Sequence, residues 1–176
     1  MRRHRCIVPT LPLGGPQNYI YLGVQSPSNS GGAMTGEVRM TFGKVGISLR
    51  GTSFFELVDR KLDRYEHLEV WSLGLVWRVP PGAAFGLSLE LGATAATDTR
   101  GPSRGGVTAA LSMWRPLVGE LAMMGSARLS YFTPDVTEGE LLAGVQLSIL
   151  QIGYRIVDFE LAPPMYGPEV GLVMEF

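Results

Sequence analysis

Along most of the chain, apolar side chains recur at every second position with small or polar ones between them. That period belongs to strands with two unlike faces, whereas helical apolar stripes recur every three to four residues. Residues 18–25 set Ile20, Leu22 and Val24 against Tyr19, Tyr21, Gly23 and Gln25. Residues 36–42 set Val38, Met40 and Phe42 against Glu37, Arg39 and Thr41. After a Gly43-Lys44 turn, residues 45–54 set Val45, Ile47 and Leu49 against Gly46, Ser48 and Arg50. A fourth segment, 68–79, ends at Pro80-Pro81-Gly82. The fifth, 83–97, is the clearest: Phe85, Leu87, Leu89, Leu91 and Ala93 oppose Gly86, Ser88, Glu90, Gly92 and Thr94. Further segments are expected at 107–115, 119–131, 140–149, 151–159 and 169–176, punctuated by Pro116, Thr133-Pro134-Asp135, Pro163-Pro164 and Gly167-Pro168.

A sandwich and a closed barrel both accommodate this many strands. Connection lengths favour the barrel. Short links (43–44, 80–82, 116–118 and one near 150) alternate with longer ones (26–35, 56–66, 97–105, 133–138, 160–168), the pattern of outer-membrane barrels. Face composition points the same way. One face is nearly pure Leu, Val, Ile, Met, Phe and Ala. The other is Gly, Ser, Thr and Gln with scattered Arg and Glu, which suits a crowded lumen better than a solvated exterior. The expected fold is therefore an all-β, antiparallel, up-and-down transmembrane β-barrel of about ten strands, with an apolar, lipid-facing exterior; eight strands also fit. Residues 17–176 form that single domain, and residues 1–16 a tail or signal remnant.

Composition sharpens this. Charged residues make up 18% of the 176, below the roughly 25% usual for soluble domains. The net charge of −1 gives no pull toward nucleic acid. No apolar run reaches the ~18 residues of a membrane-spanning helix, so a membrane reading must be a barrel reading. Cys6 is the only cysteine, which excludes an internal disulfide. Met1-Arg2-Arg3-His4-Arg5 looks like the basic start of a signal peptide, but Pro9 and Pro12 interrupt the apolar stretch after it and no A-x-A site appears. Either a signal lies upstream or this start is an artefact of gene assignment.

The enclosed face carries Arg39, Arg50, Glu90, Arg128, Gln146, Gln151, Arg155, Glu169 and Glu175. Their near-balanced charges predict an internal salt-bridge network that plugs the lumen, since buried charges are tolerable only when paired. A polar pore lining or binding site is the alternative. Glu169 and Glu175 lie ~20 Å apart along one strand, too far for a glycosidase-like carboxylate pair. Trp71, Trp77, Trp114, Tyr131 and Tyr154 are expected near strand ends, as an aromatic girdle. A rim lipid hydrolase needs a histidine base. His4 lies in the tail, His67 follows Glu66, and neither has a serine arranged with it, so His67 reads as a solvated histidine. Asp59, Arg60, Lys61, Asp63, Arg64, Arg100 and Arg104 read as solvated loop charges, with lipopolysaccharide phosphates as possible contacts. There is no phosphate loop, zinc spacing or calcium loop, so no cofactor or metal is expected.

The closing Val173-Met174-Glu175-Phe176 resembles the C-terminal signature of bacterial outer-membrane barrels. That resemblance implies that Phe176 is part of the signal read by the barrel assembly machinery. From residue 68 onward the chain also resembles the YfaZ-type family of small outer-membrane proteins. The matching features are Trp77-Arg78-Val79-Pro80, the strand with Gly86 and Gly92, and Ala127-Arg128-Leu129-Ser130-Tyr131-Phe132. They continue with Gln151-Ile152-Gly153-Tyr154-Arg155 and Gly167-Pro168-Glu169-Val170-Gly171-Leu172. The likeness implies fold and location only, and it carries over no enzymatic activity; the chain is expected not to be an enzyme. The functional expectation is an outer-membrane barrel with a structural or adhesive role through loops 26–35, 56–67 and 97–106. Its expected partners are outer-membrane lipid, lipopolysaccharide and the assembly machinery. The alternatives are a small pore or transport accessory, and a soluble lipocalin-like carrier.

Overall fold

A computed structural model describes residues 18–26, 31–59, 64–79, 85–98, 102–160 and 164–176, with the side chains of 56–59 and 64–66 outside the description. Ten antiparallel strands close into one barrel in chain order, β1 pairing with β10. They are β1 (Tyr19–Gln25), β2 (Gly31–Phe42), β3 (Val45–Asp59), β4 (Arg64–Val79) and β5 (Gly86–Asp98), then β6 (Arg104–Val118), β7 (Leu121–Phe132), β8 (Val136–Leu147), β9 (Leu150–Phe159) and β10 (Met165–Glu175). The expected ten-strand count and all-antiparallel order match this architecture. No helix long and apolar enough to cross a membrane occurs among the described residues.

Closure satisfies the backbone without an edge strand. The strands tilt. The register row starting at Tyr19, the first residue of β1, passes through Arg39, Ser48, Gly74, Gly92, Thr108, Ser130 and Glu138 to Phe159, the last of β9. One turn around the barrel thus climbs from one rim to the other, as closure requires.

Three connections on one rim are two-residue turns: Gly43-Lys44, Gly119-Glu120 and Ser148-Ile149. Gly43, Gly119 and Ser148 take positive φ there, a region glycine enters freely and serine does not. This rim, called the turn side, also holds both barrel termini.

The opposite rim departs from expectation. Residues 56–67 are not a loop: β3 runs to Asp59 and β4 starts at Arg64, so only 60–63 connect them. Likewise 133–138 shrinks to residues 133–135, and β2 already begins at Gly31. Charged residues interrupt the period of two at these strand ends, so the sequence pattern does not mark them as strands. Ladder hydrogen bonds persist there all the same. The contrast between long and short connections is consequently milder than the sequence suggests. Residues 1–17, the prolines at 80–81, Lys61, Asp63 and Arg100 lie outside the described residues.

The apolar face points outward. Leu73, Leu75, Trp77, Leu91, Leu129, Leu141, Ile152, Leu172 and many like them are exposed. On β4 the outward apolar positions run from Trp71 to Val79, nine residues, against the ~9–11 a transmembrane strand needs. Among the described outward positions, no charged side chain falls between Arg115 near the turn side and Glu69 or Asp158 near the other rim.

Candidate functional site: the barrel lumen

Inward side chains form three layers. Nearest the loop rim, Ala33, Phe54, Val70, Ala96, Phe132, Val136 and Val157 make a buried apolar cluster, with Leu68, Phe159 and Met165 against it. Phe54 and Phe159 meet edge to face at 5.3 Å between centroids.

The middle layer is ionic. Four arginines and four glutamates alternate in one continuous chain: Arg128–Glu90 (3.1 Å), Glu90–Arg39 (3.1 Å), Arg39–Glu37 (3.0 Å) and Glu37–Arg50 (3.5 Å), then Arg50–Glu140 (2.6 Å), Glu140–Arg155 (2.9 Å) and Arg155–Glu169 (3.3 Å). Neutral groups complete the shell. The Tyr19 hydroxyl donates to Glu37 at 2.6 Å, the Tyr21 hydroxyl donates to Glu169, and Arg155 donates to the Thr35 hydroxyl at 2.7 Å. Gln151 donates to the Tyr21 hydroxyl at 3.4 Å and Gln146 to the Ser148 carbonyl at 3.0 Å. The Arg155 guanidinium also lies 5.7 Å from the Phe54 ring centroid, joining the ionic layer to the apolar one.

Two glycines make room for this packing. A Cβ on Gly74 would fall 2.7 Å from the Glu90 side chain, and one on Gly171 would collide with the Tyr21 ring.

The third layer, toward the turn side, is a cavity of about 130 Å³. Trp114, Met124, Leu142 and Val173 give it apolar walls, and Arg39, Arg78, Ser126 and Gln146 give it polar ones.

No family model and no curated protein matches the chain, so the YfaZ-type resemblance gains no support there. Among solved structures, CdiB from Acinetobacter baumannii is similar with a TM-score of 0.44 and 7% sequence identity, over 83% of this chain and 39% of that chain. The chain thus spans well under half of that protein, and the match carries no functional assignment.

Of the polar residues named from sequence, Arg39, Arg50, Glu90, Arg128, Gln146, Gln151, Arg155 and Glu169 point into the lumen. Glu175 does not join them. It is exposed at the turn-side rim, the last residue of β10, in register with Tyr19 at the start of β1. Trp114 is a second correction: it is 8% exposed and faces the cavity, not the outer surface. With Val107, Ala109, Leu111 and Met113 outward, position 114 must be inward, and ring size alone misplaced it.

Trp71, Trp77, Tyr131 and Tyr154 are outward. Trp71 donates its indole N–H to Glu69 at 3.3 Å and Tyr131 its hydroxyl to Asp135 at 2.7 Å, both polar tips directed at the charged rim. Tyr154 sits in the middle of β9, so it is not at a strand end.

Sequence reasoning passes over Glu140, and places Glu37 on the correct face without counting it as part of the network. Stepping by two from Leu142 reaches Glu140 and Glu138, but their acidic surroundings resemble a loop. Glu138 is buried near the network with one carboxylate oxygen unpartnered. His67 is half-exposed on the outer face of β4, 3.8 Å from Glu69. No cluster of three metal-ligating side chains occurs among the described residues.

Proposed function

We propose that this protein is an integral outer-membrane barrel with a plugged lumen, serving a structural role in the envelope and not conducting solutes. The observation that carries the reading is the barrel's polarity. Its apolar side chains face out in an uncharged band and its ionic ones face in. Burying such a band in acyl chains is favourable at roughly 25 cal/mol per Å², whereas leaving it in water favours aggregation. A soluble lipocalin-like carrier requires the reverse arrangement. The apolar cluster and the ionic chain both place side chains across the lumen, which supports a plug over a pore.

Lipid and lipopolysaccharide are the partners this surface fits. Phe176, outward at the turn-side end, is the residue we assign to recognition by the assembly machinery. Adhesion through extended loops has less support, since the connections on that rim run only three to five residues between strands. The test is extraction. The protein should stay in washed membranes, need detergent to dissolve, and migrate differently on a gel before and after boiling. A monodisperse protein without detergent refutes the reading.

A further inference from the structure

Among the described residues, Glu37, Glu90, Glu138, Glu140 and Glu169 are the buried glutamates. All but Glu138 belong to the ionic chain, where each meets at least one arginine. Glu138 is 3% exposed, its Oε2 has no hydrogen-bond partner, and it joins none of the ion pairs among the described residues.

Its surroundings offer no counter-charge. On β8 it stands between Val136 of the apolar cluster and Glu140 of the ionic chain, and its cross-strand neighbours are Ser130 on β7 and Phe159 on β9. The charged groups that face it are Glu140 on its own strand, Arg50 on β3, Arg128 on β7 and Arg155 on β9. The arginines are already engaged: Arg50 with Glu37 and Glu140, Arg128 with Glu90, and Arg155 with Glu140 and Glu169. From β4 and β5 come the uncharged Val70, Ser72 and Thr94. The void beside Glu138 holds about 10 Å³, the lower limit for one water, and Oε2 is enclosed away from it. A hydrated cation does not fit there, whereas a proton needs no space.

The neighbouring hydroxyls give that proton a direction. Glu138 is hydrogen-bonded to Ser130. The Ser130 hydroxyl donates to the Thr108 hydroxyl at 3.1 Å, and the Thr108 hydroxyl donates to the Leu129 carbonyl at 3.3 Å. A carbonyl only accepts and each hydroxyl has one proton to give, so Ser130 has none left for Glu138. The first bond of the relay then takes its proton from Glu138, which only the neutral carboxylic acid can supply.

We propose that Glu138 is a proton-binding site beneath the apolar cluster, its carboxyl staying neutral in the folded barrel at pH values where exposed glutamates are ionised. When the proton is lost to solvent, a bare carboxylate is left beside Val136 and Phe159 with no counter-ion, so the loop-side plug responds to pH. Gly139, the next residue, is in register with the outward Asp158, which puts the site at the loop-side rim, beyond the uncharged band. The proposal depends on the folded barrel and not on the membrane reading. Because folding favours the neutral acid, its contribution to stability is complete in acid and is lost as pH rises through the folded-state titration.

The test is infrared titration of the folded full chain in lipid vesicles, recorded as wild type minus Glu138→Gln to isolate this carboxyl. The band of the protonated acid should titrate with a midpoint at least about one pH unit above the ~4.3 of an exposed glutamate, a proton affinity at least about tenfold higher. A smaller displacement overturns the site. Ser130→Ala, which keeps the carboxyl and removes its acceptor, should lower that midpoint. A raised or unchanged midpoint means that Ser130 donates to a carboxylate, and overturns the relay. Urea unfolding in the same vesicles gives an independent reading. Between about pH 4 and pH 8 the wild type should lose at least about tenfold in its folding equilibrium constant relative to Glu138→Gln, in which the amide stays neutral throughout. Parallel pH profiles for the two proteins overturn the proposal.

Discussion

Arg155→Met tests whether the ionic layer behaves as a paired network. Arg155 is 1% exposed and its guanidinium serves Glu140 at 2.9 Å, Glu169 at 3.3 Å and Thr35 at 2.7 Å. Methionine replaces much of the volume and none of the charge. Glu140 would keep Arg50 at 2.6 Å, but Glu169 would keep only the Tyr21 hydroxyl. One buried carboxylate is then left without a counter-charge, a change that costs about 3–5 kcal/mol. The pair itself contributes much less, because each ion was desolvated to make it. Adding Glu169→Gln to Arg155→Met should therefore recover most of the loss, giving a coupling energy of about 2–3 kcal/mol. The assay is reversible urea unfolding in lipid vesicles, followed by tryptophan fluorescence, for the wild type, both single variants and the double. A single-variant cost below about 1 kcal/mol would refute the reasoning, and so would additive costs, since either means that water already screens these charges.

Other consequences can be checked in parallel. Leu91→Arg, in the middle of the outward band, should destabilise the barrel in lipid by ~2–4 kcal/mol, while Glu69→Arg at the rim should change it by less than ~1 kcal/mol, both read by urea unfolding in vesicles. Single-channel recordings in planar bilayers should show no conductance steps for the wild type. Ser148→Gly should stabilise the barrel by ~1 kcal/mol, because Ser148 holds φ at 55° in a two-residue turn; an unchanged urea midpoint would contradict this.

The part of the fold that is legible in the sequence is the part governed by the period of two. Wherever one face is apolar for several steps, as in Phe85 to Ala93 or Val170 to Phe176, inward and outward residues are settled, since a one-residue slip would reverse every side chain. The ionic pairing is not legible. Alternation places Arg50 on the enclosed face, but its partner Glu140, which sequence reasoning passes over, lies ninety residues away in sequence, and their meeting depends on strand number and tilt. Strand ends are obscured for another reason. Residues 56–59 and 64–66 pair as strands, yet in the sequence their run of charges breaks the period of two and resembles a loop. Trp114 shows a residue-type preference overriding a pattern that is already decisive.

The ionic chain also answers a question that backbone pairing leaves open. Ladder hydrogen bonds join only neighbouring strands, so they fix the circumference but resist flattening of the barrel weakly. The side-chain pairs cross the interior: Arg39 on β2 reaches Glu90 on β5, Arg128 on β7 reaches the same carboxylate, and Arg50 on β3 reaches Glu140 on β8. A hydrocarbon filling could occupy the same volume, but it would be non-directional and would erase the difference between the two faces on which register depends. Charged cross-links are directional. Because Glu37, Glu90 and Glu140 are each shared by two arginines, moving one strand disturbs several pairs. They hold the cross-section open at a fixed width, and where they end toward the turn side the lumen cannot collapse onto Trp114. The cavity is then a consequence of the same network that spans the lumen above it.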